Sequence, residues 1–134
     1  MNVFVDTSAF FAVLDSDDEG HAAARTAWID LLQGGNNLHA SNYVLLETIA
    51  LLQSRIGMDS VRAFTADIMP VVTVFWVDEE THRSAHHALL VSARRELSLV
   101  DCVSFEAMRR LDLNDAFCFD ARFAEQGFRV LPGA

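Results

Sequence analysis

The chain has 134 residues, 51% of them apolar, and a formal net charge of −9 at pH 7. Such a length and composition predict one domain, residues 1–134, with a core that needs no disulfide or metal staple, and they exclude a disordered tail. All ten basic residues are arginine, which excludes reactions that need a lysine, among them P-loop phosphate binding and Schiff-base formation.

Asn2–Val5 reads as a short buried strand and Thr7–Leu14 as the helix that follows. DSDDEGH is a polar loop whose acids read as a solvated charge run. His21–Gln33 is an amphipathic helix, with Ala24, Trp28, Leu31 and Leu32 at helical spacing. GGNN stops it, and Leu38–Ala40 is a short strand. Ser41 or Asn42 then caps a long apolar helix that Gly57 closes. Another helix starts at Asp59 or Ser60 and runs to about Met69. VVTVFWVD is β-branched, aromatic and continuous, as buried parallel strands are. Glu79–Arg95 and Ser98–Leu111 are helical, Asp115–Phe119 is a strand, Ala121–Gln126 a helix and Arg129–Leu131 a last strand. Strands alternating with helices predict an α/β fold, a parallel sheet with helices on both faces. Ligands of such sheets bind outside the carboxyl ends of the strands. Asp6, Asp78 and Asp120 are each expected there, as the last residue of a strand.

No apolar run reaches the roughly 18 residues that span a bilayer. The start, with an early Asp6 and no basic segment, does not read as a signal peptide, so a cytoplasmic protein without membrane contact is expected. Cys102 and Cys118 lie in apolar settings and read as buried free thiols. Non-specific nucleic-acid binders are usually basic. An acidic chain acts on nucleic acid if bound cations neutralise its site, or it takes a basic partner.

Four acids stand out. Asp6 and Asp120 each precede a helix, so each either caps it or faces a ligand. Asp101 closes Ser98-Leu99-Val100-Asp101, a capping-box spacing. Glu47 has Val44, Ala50 and Leu51 three and four residues away, so it is expected on the buried side of its helix, needing a cation or a partner such as Arg122. Carboxylates that converge repel each other unless a cation lies between them. An all-oxygen set suits Mg²⁺ or Mn²⁺, and such a cation activates water and stabilises charge on a phosphodiester. Thr7, Ser8 and Ser104 add hydroxyls near this centre, Ser104 on the helix face of Asp101. Asp78 is a spare candidate. His82 and His86 are four apart but lack the Glu of a metalloprotease helix, so His82, His86 and His87 read as surface histidines.

VFVDTSAFFA, SNYVLLETIALLQSRIG, ELSLVDCVSFEAMRRL and DAFCFDARFAEQGFRVLP, in that order, resemble the PIN domain over nearly the whole chain, and in particular the VapC-type toxin ribonucleases. The resemblance implies a three-layer α/β/α sandwich with Mg²⁺ or Mn²⁺ held by four acids, which fall on Asp6, Glu47, Asp101 and Asp120. It implies a metal-dependent endoribonuclease acting on RNA, a homodimer, and inhibition by a cognate antitoxin. The family hydroxyl would be Thr7 or Ser8. Arg122 departs from the His that many relatives carry, and either touches RNA or pairs with an acid. RNA would be gripped by arginines, with Arg55, Arg94, Arg95, Arg109 and Arg110 as candidates. The alternative is a PIN fold that binds RNA or protein without cutting.

Overall fold

The computed structural model describes residues 1–133. Five strands form one parallel sheet: β1 (Asn2–Val5), β2 (Asn37–Ser41), β3 (Val72–Phe75), β4 (Asp115–Phe117) and β5 (Arg129–Leu131). Their order across the sheet is β3-β2-β1-β4-β5. The chain therefore builds outward from β1 to β3, then returns to place β4 on the other side of β1. The strand order reverses between β1 and β4, the position where open parallel sheets open a crevice.

Seven α-helices among the described residues flank the sheet: α1 (Thr7–Leu14), α2 (His21–Gln33), α3 (Asn42–Arg55), α4 (Met58–Ala63), α5 (Glu79–Ser92), α6 (Leu99–Arg110) and α7 (Arg122–Glu125). Side chains start several of them. Asp6 accepts the Ser8 N–H, Ser41 the Val44 N–H, and Asp78 the Thr81 N–H. Each satisfies one of the orphan donors of a first turn. Gly57, between α3 and α4, has φ 127°, a conformation that side-chain-bearing residues rarely adopt.

The core is aromatic on both sides of the sheet's centre. Phe10 meets Phe64 and Trp28 edge-on, with centroids 5.2 and 6.3 Å apart. Phe105 and Phe123 do the same at 5.0 Å. Phe4, Phe10, Phe64, Phe117 and Phe123 are fully buried, each contributing about 1.5–3 kcal/mol by leaving water.

Several expected boundaries move. The helix after Gly57 starts at Met58 and passes at Phe64 into a wide π turn and then a 3₁₀ turn, because Pro70 cannot continue an α-helix. The run after Pro70 is an edge strand of four residues, not a buried one, and leaves Trp76 72% exposed. α5 ends at Ser92 with Ala93 left-handed, three residues short of Arg95. β4 stops at Phe117, so Asp120 lies in the turn beyond it. Asp78 is likewise three residues past its strand. No helix among the described residues is long and apolar enough to cross a membrane.

Candidate active site

The crevice between β1 and β4 opens into a cleft of about 380 Å³ lined by all four expected acids, Asp6, Glu47, Asp101 and Asp120. Each arrives by a different route. Asp6 follows β1, its N–H bonded to the Phe117 carbonyl at 3.0 Å, so the β1–β4 pairing fixes its backbone. Its carboxylate accepts both the Ser8 amide at 3.1 Å and the Ser8 hydroxyl at 2.7 Å. The same hydroxyl accepts the Phe119 N–H at 2.9 Å, which ties the turn after β4 to the turn after β1.

Asp101 both caps and faces the cleft. The Ser98 hydroxyl accepts the Asp101 N–H at 3.0 Å and the Asp101 carboxylate accepts the Ser98 N–H at 3.1 Å, a complete capping box. Asp120 accepts the Arg122 amide at 3.0 Å and its guanidinium at 3.0 and 3.3 Å. Arg122 Nε also lies 3.7 Å from Asp101, and its Nη1 donates to the Glu96 carbonyl. Arg122 thus pairs with two of the four acids.

Glu47 is half-buried, not buried, and makes no hydrogen bond among the described residues. The reason lies in its neighbours: Val44 enters the core, but Ala50 is exposed and Leu51 lines the cleft. The buried partner at this turn is Thr48.

Burial pushes the Asp6 carboxyl up to about 6; the Ser8 hydroxyl and amide oppose this, and the carboxylates of Asp101 and Asp120 add to it. Burial also raises Asp101, against the Ser98 hydrogen bonds and Arg122. The cleft holds like charges that resist ionising together. It contains carboxylates and hydroxyls but no imidazole or thiol, a donor set that fits a hard divalent cation. Among the described residues no three acidic, histidine or cysteine groups converge as a ready-made ligand cage. The acids line the walls of the cleft, and Arg122 lies across two of them.

The hydroxyls divide. Ser8 serves Asp6 as described. Thr7 turns its hydroxyl to the Val44 carbonyl at 3.5 Å and receives that of Thr48 at 3.4 Å, joining α1 to α3. Ser104 is fully buried one turn after Asp101, outside the cleft lining, with no hydrogen-bond partner among the described residues. Sequence reasoning missed two further cleft acids, Asp18 and Glu96. Asp18 belongs to the loop read as a solvated charge run; there its carboxylate accepts the Gly20 N–H at 2.8 Å. Asp78 is not in the lining.

Of the candidate arginines, Arg55 lines the cleft, its guanidinium 5.7 Å from the centre of the Phe11 ring. Arg94 is paired with Glu96 and Glu125, Arg110 with Glu106 and Glu80, and Arg109 bonds Gln126 away from the cleft. His86 and His87 are exposed, and His82 bonds the Tyr43 hydroxyl at 2.5 Å. Burial raises both thiols, Cys118 to about 12, which leaves them inert. A larger groove of about 560 Å³ between α2 and β5 is mostly apolar, with Asp30 as its one titratable group.

Residues 3–129 match the family model of the PIN domain. The chain is 34% identical over 127 residues to the 23S rRNA-specific endonuclease VapC20 of Mycobacterium tuberculosis, covering 94% of this chain and 95% of that protein. The crystal structure of M. tuberculosis VapC20, a sarcin–ricin loop cleaving toxin, superposes with a TM-score of 0.83 over 94% of this chain and 95% of that one, at 33% identity. FitAcB from Neisseria gonorrhoeae shares the fold at 14% identity and a TM-score of 0.68, over 96% of this chain and 95% of that one. VapBC2 from Rickettsia felis, bound to a DNA fragment from their promoter, shares it at 9% identity and 0.68, over 97% of each chain.

Proposed function

Because the chain belongs to the PIN-domain family and is a VapC-type member of it, we propose that it is a divalent-cation-dependent endoribonuclease, the toxin of a toxin–antitoxin pair. The observation that carries this reading is the cleft at the β1–β4 switch point, whose walls Asp6, Glu47, Asp101 and Asp120 line from four separate segments. These four acids would hold Mg²⁺ or Mn²⁺. The bound cation supplies activated water and charge stabilisation for phosphodiester hydrolysis.

The remaining work falls to the chain's own groups. Ser8 holds the Asp6 carboxylate in one orientation through two hydrogen bonds. Ser98 does the same for Asp101. Arg122 neutralises Asp120 and Asp101, and must loosen for a cation to take their oxygens. Arg55 presents the cleft's guanidinium without a carboxylate partner among the described residues, which suits it to a substrate phosphate.

Identity to VapC20 over nearly all of both chains makes a ribosomal RNA loop the first substrate class to test. The acidic cleft, with six carboxylates against two arginines, suits an antitoxin that offers a basic side chain. A homodimer is part of this reading, and Leu46, Trp76, Leu90 and Val91 are the most exposed large apolar side chains available to it.

The test is cleavage of total cellular RNA by protein free of co-purifying antitoxin, with Mg²⁺, Mn²⁺ or EDTA, beside Asp101→Asn. Discrete fragments that require both the cation and Asp101 establish the nuclease. Arg122 lying across two acids favours the second reading, a PIN fold that binds without cutting; folded protein that binds RNA and never cleaves it supports that instead.

A further inference from the structure

Of the ten phenylalanines, Phe119 is the one whose ring is left exposed among the described residues, at 42%, and it lines the acidic cleft. An exposed ring is usually a loose one. This ring is braced. Its N–H is fixed by the Ser8 hydroxyl, which also holds Asp6, so two hydrogen bonds separate the Phe119 backbone from the Asp6 carboxylate. Its ring meets Phe117 edge-on at 6.2 Å. On another side lies Gly20, where any Cβ would come within 3.3 Å of the ring. The α1–α2 loop thus approaches the ring as closely as a glycine allows.

The cleft's positive charge is placed to match. Arg122 is taken by Asp120 and Asp101. Arg55 is not paired with a carboxylate among the described residues, and it stands over Phe11, a second cleft aromatic. A rigid apolar face, a free guanidinium and a carboxylate centre share one cleft.

We propose that Phe119 and Arg55 form a nucleotide subsite, in which Phe119 stacks one unpaired base of single-stranded RNA beside the carboxylates and Arg55 holds an adjoining phosphate. Stacking needs a base whose face is free, so the subsite selects single-stranded or looped RNA over duplex. The proposal rests on the ribonuclease reading and names what that site grips.

The probe is a short single-stranded RNA carrying 2-aminopurine, bound to the Asp101→Asn protein so that it is not cut. Stacking on Phe119 quenches the fluorescence. Adding Phe119→Leu should abolish the quench and weaken binding about tenfold, while Phe119→Trp should preserve both and serves as the check on folding. Arg55→Gln should weaken binding with the quench per bound strand unchanged. The same RNA annealed into a duplex should bind at least about tenfold more weakly. Equal binding and quenching by Phe119→Leu, equal affinity for the duplex, or no binding of the single strand overturns the subsite. Cleavage of total RNA by the unmutated protein, read in parallel, separates that failure from failure of the nuclease reading itself.

Discussion

Replacing Arg122 with Ala removes a guanidinium that touches Asp120, Asp101 and the Glu96 carbonyl at once. Side-chain exposures of 28% for Arg122, 14% for Asp120 and 11% for Asp101 place this network between a surface pair and a buried one. Exposed pairs contribute about 0–1 kcal/mol, whereas stripping one partner from a buried pair costs about 3–5 kcal/mol. A loss of about 2 kcal/mol is therefore expected in EDTA, a fall in melting temperature of roughly 8 °C for a chain of this size. The carboxylates that lose the guanidinium become free for a cation. Mn²⁺ should bind more tightly by a similar free energy, roughly thirtyfold, and saturating Mn²⁺ should close most of the gap in melting temperature. Calorimetric titration with Mn²⁺, and thermal melts in EDTA and in Mn²⁺, measure both halves. Weaker Mn²⁺ binding by Arg122→Ala, or a melting temperature in EDTA equal to that of the parent, would refute the idea that Arg122 and the cation compete for the same oxygens.

Asp6→Asn tests the raised carboxyl. The folded pKa of about 6 lies above the ordinary 3.8, so the folded state holds a proton that the unfolded state releases between those values. Stability from this group is complete below pH ~4 and is lost as pH rises to ~6, in all by about 3 kcal/mol. In EDTA, Asp6→Asn should therefore be the more stable protein at pH 7, and its advantage should vanish near pH 4; melts across that range that run parallel would contradict it. Ser8→Ala removes the hydroxyl shared by Asp6 and Phe119. It should lower stability by about 1 kcal/mol and move the midpoint of the pH dependence of Mn²⁺ binding upward, since the hydroxyl favours the ionised acid; an unmoved midpoint argues against the coupling. Phe10→Ala opens a cavity against Trp28 and Phe64 and should cost about 3–5 kcal/mol by urea titration, with a cost under ~1 kcal/mol showing that the core collapses around it.

Local chemistry made much of this legible. β1, α1, α2 and β5 fall on the residues that apolar pattern, caps and glycine breaks mark. Asp6 and Asp101 are each open, in the sequence, between capping and ligand duty; in the fold each carboxylate satisfies a first turn and also lines the cleft. What could not be read depends on contacts distant in sequence. The run VVTVFWVD shows a need for burial, but not that it lies at the sheet edge. Glu47 reads as buried from its helical neighbours until Ala50 and Leu51 turn out to border the cleft and solvent. Asp18 and Glu96 carry no local mark; only the folding of two loops toward the β1–β4 crevice brings them in.

The double duty of Asp101 shapes how the chain can lose its action. Removing that acid also leaves the Ser98 amide without its acceptor and weakens the start of α6, and removing Asp6 weakens the start of α1 in the same way, by about 1 kcal/mol each. Glu47 makes no such bond among the described residues. Among spontaneous mutants selected in cells for having escaped the protein's action, changes at Glu47 should leave folded, abundant, silent copies, whereas changes at Asp101 or Asp6 that remove the side-chain acceptor should surface more often as depleted ones, with Asn, which keeps an acceptor, the exception. Helix capping would then act as a guard on the chemistry, so that inert but intact descendants arise through one acid far more readily than through the others.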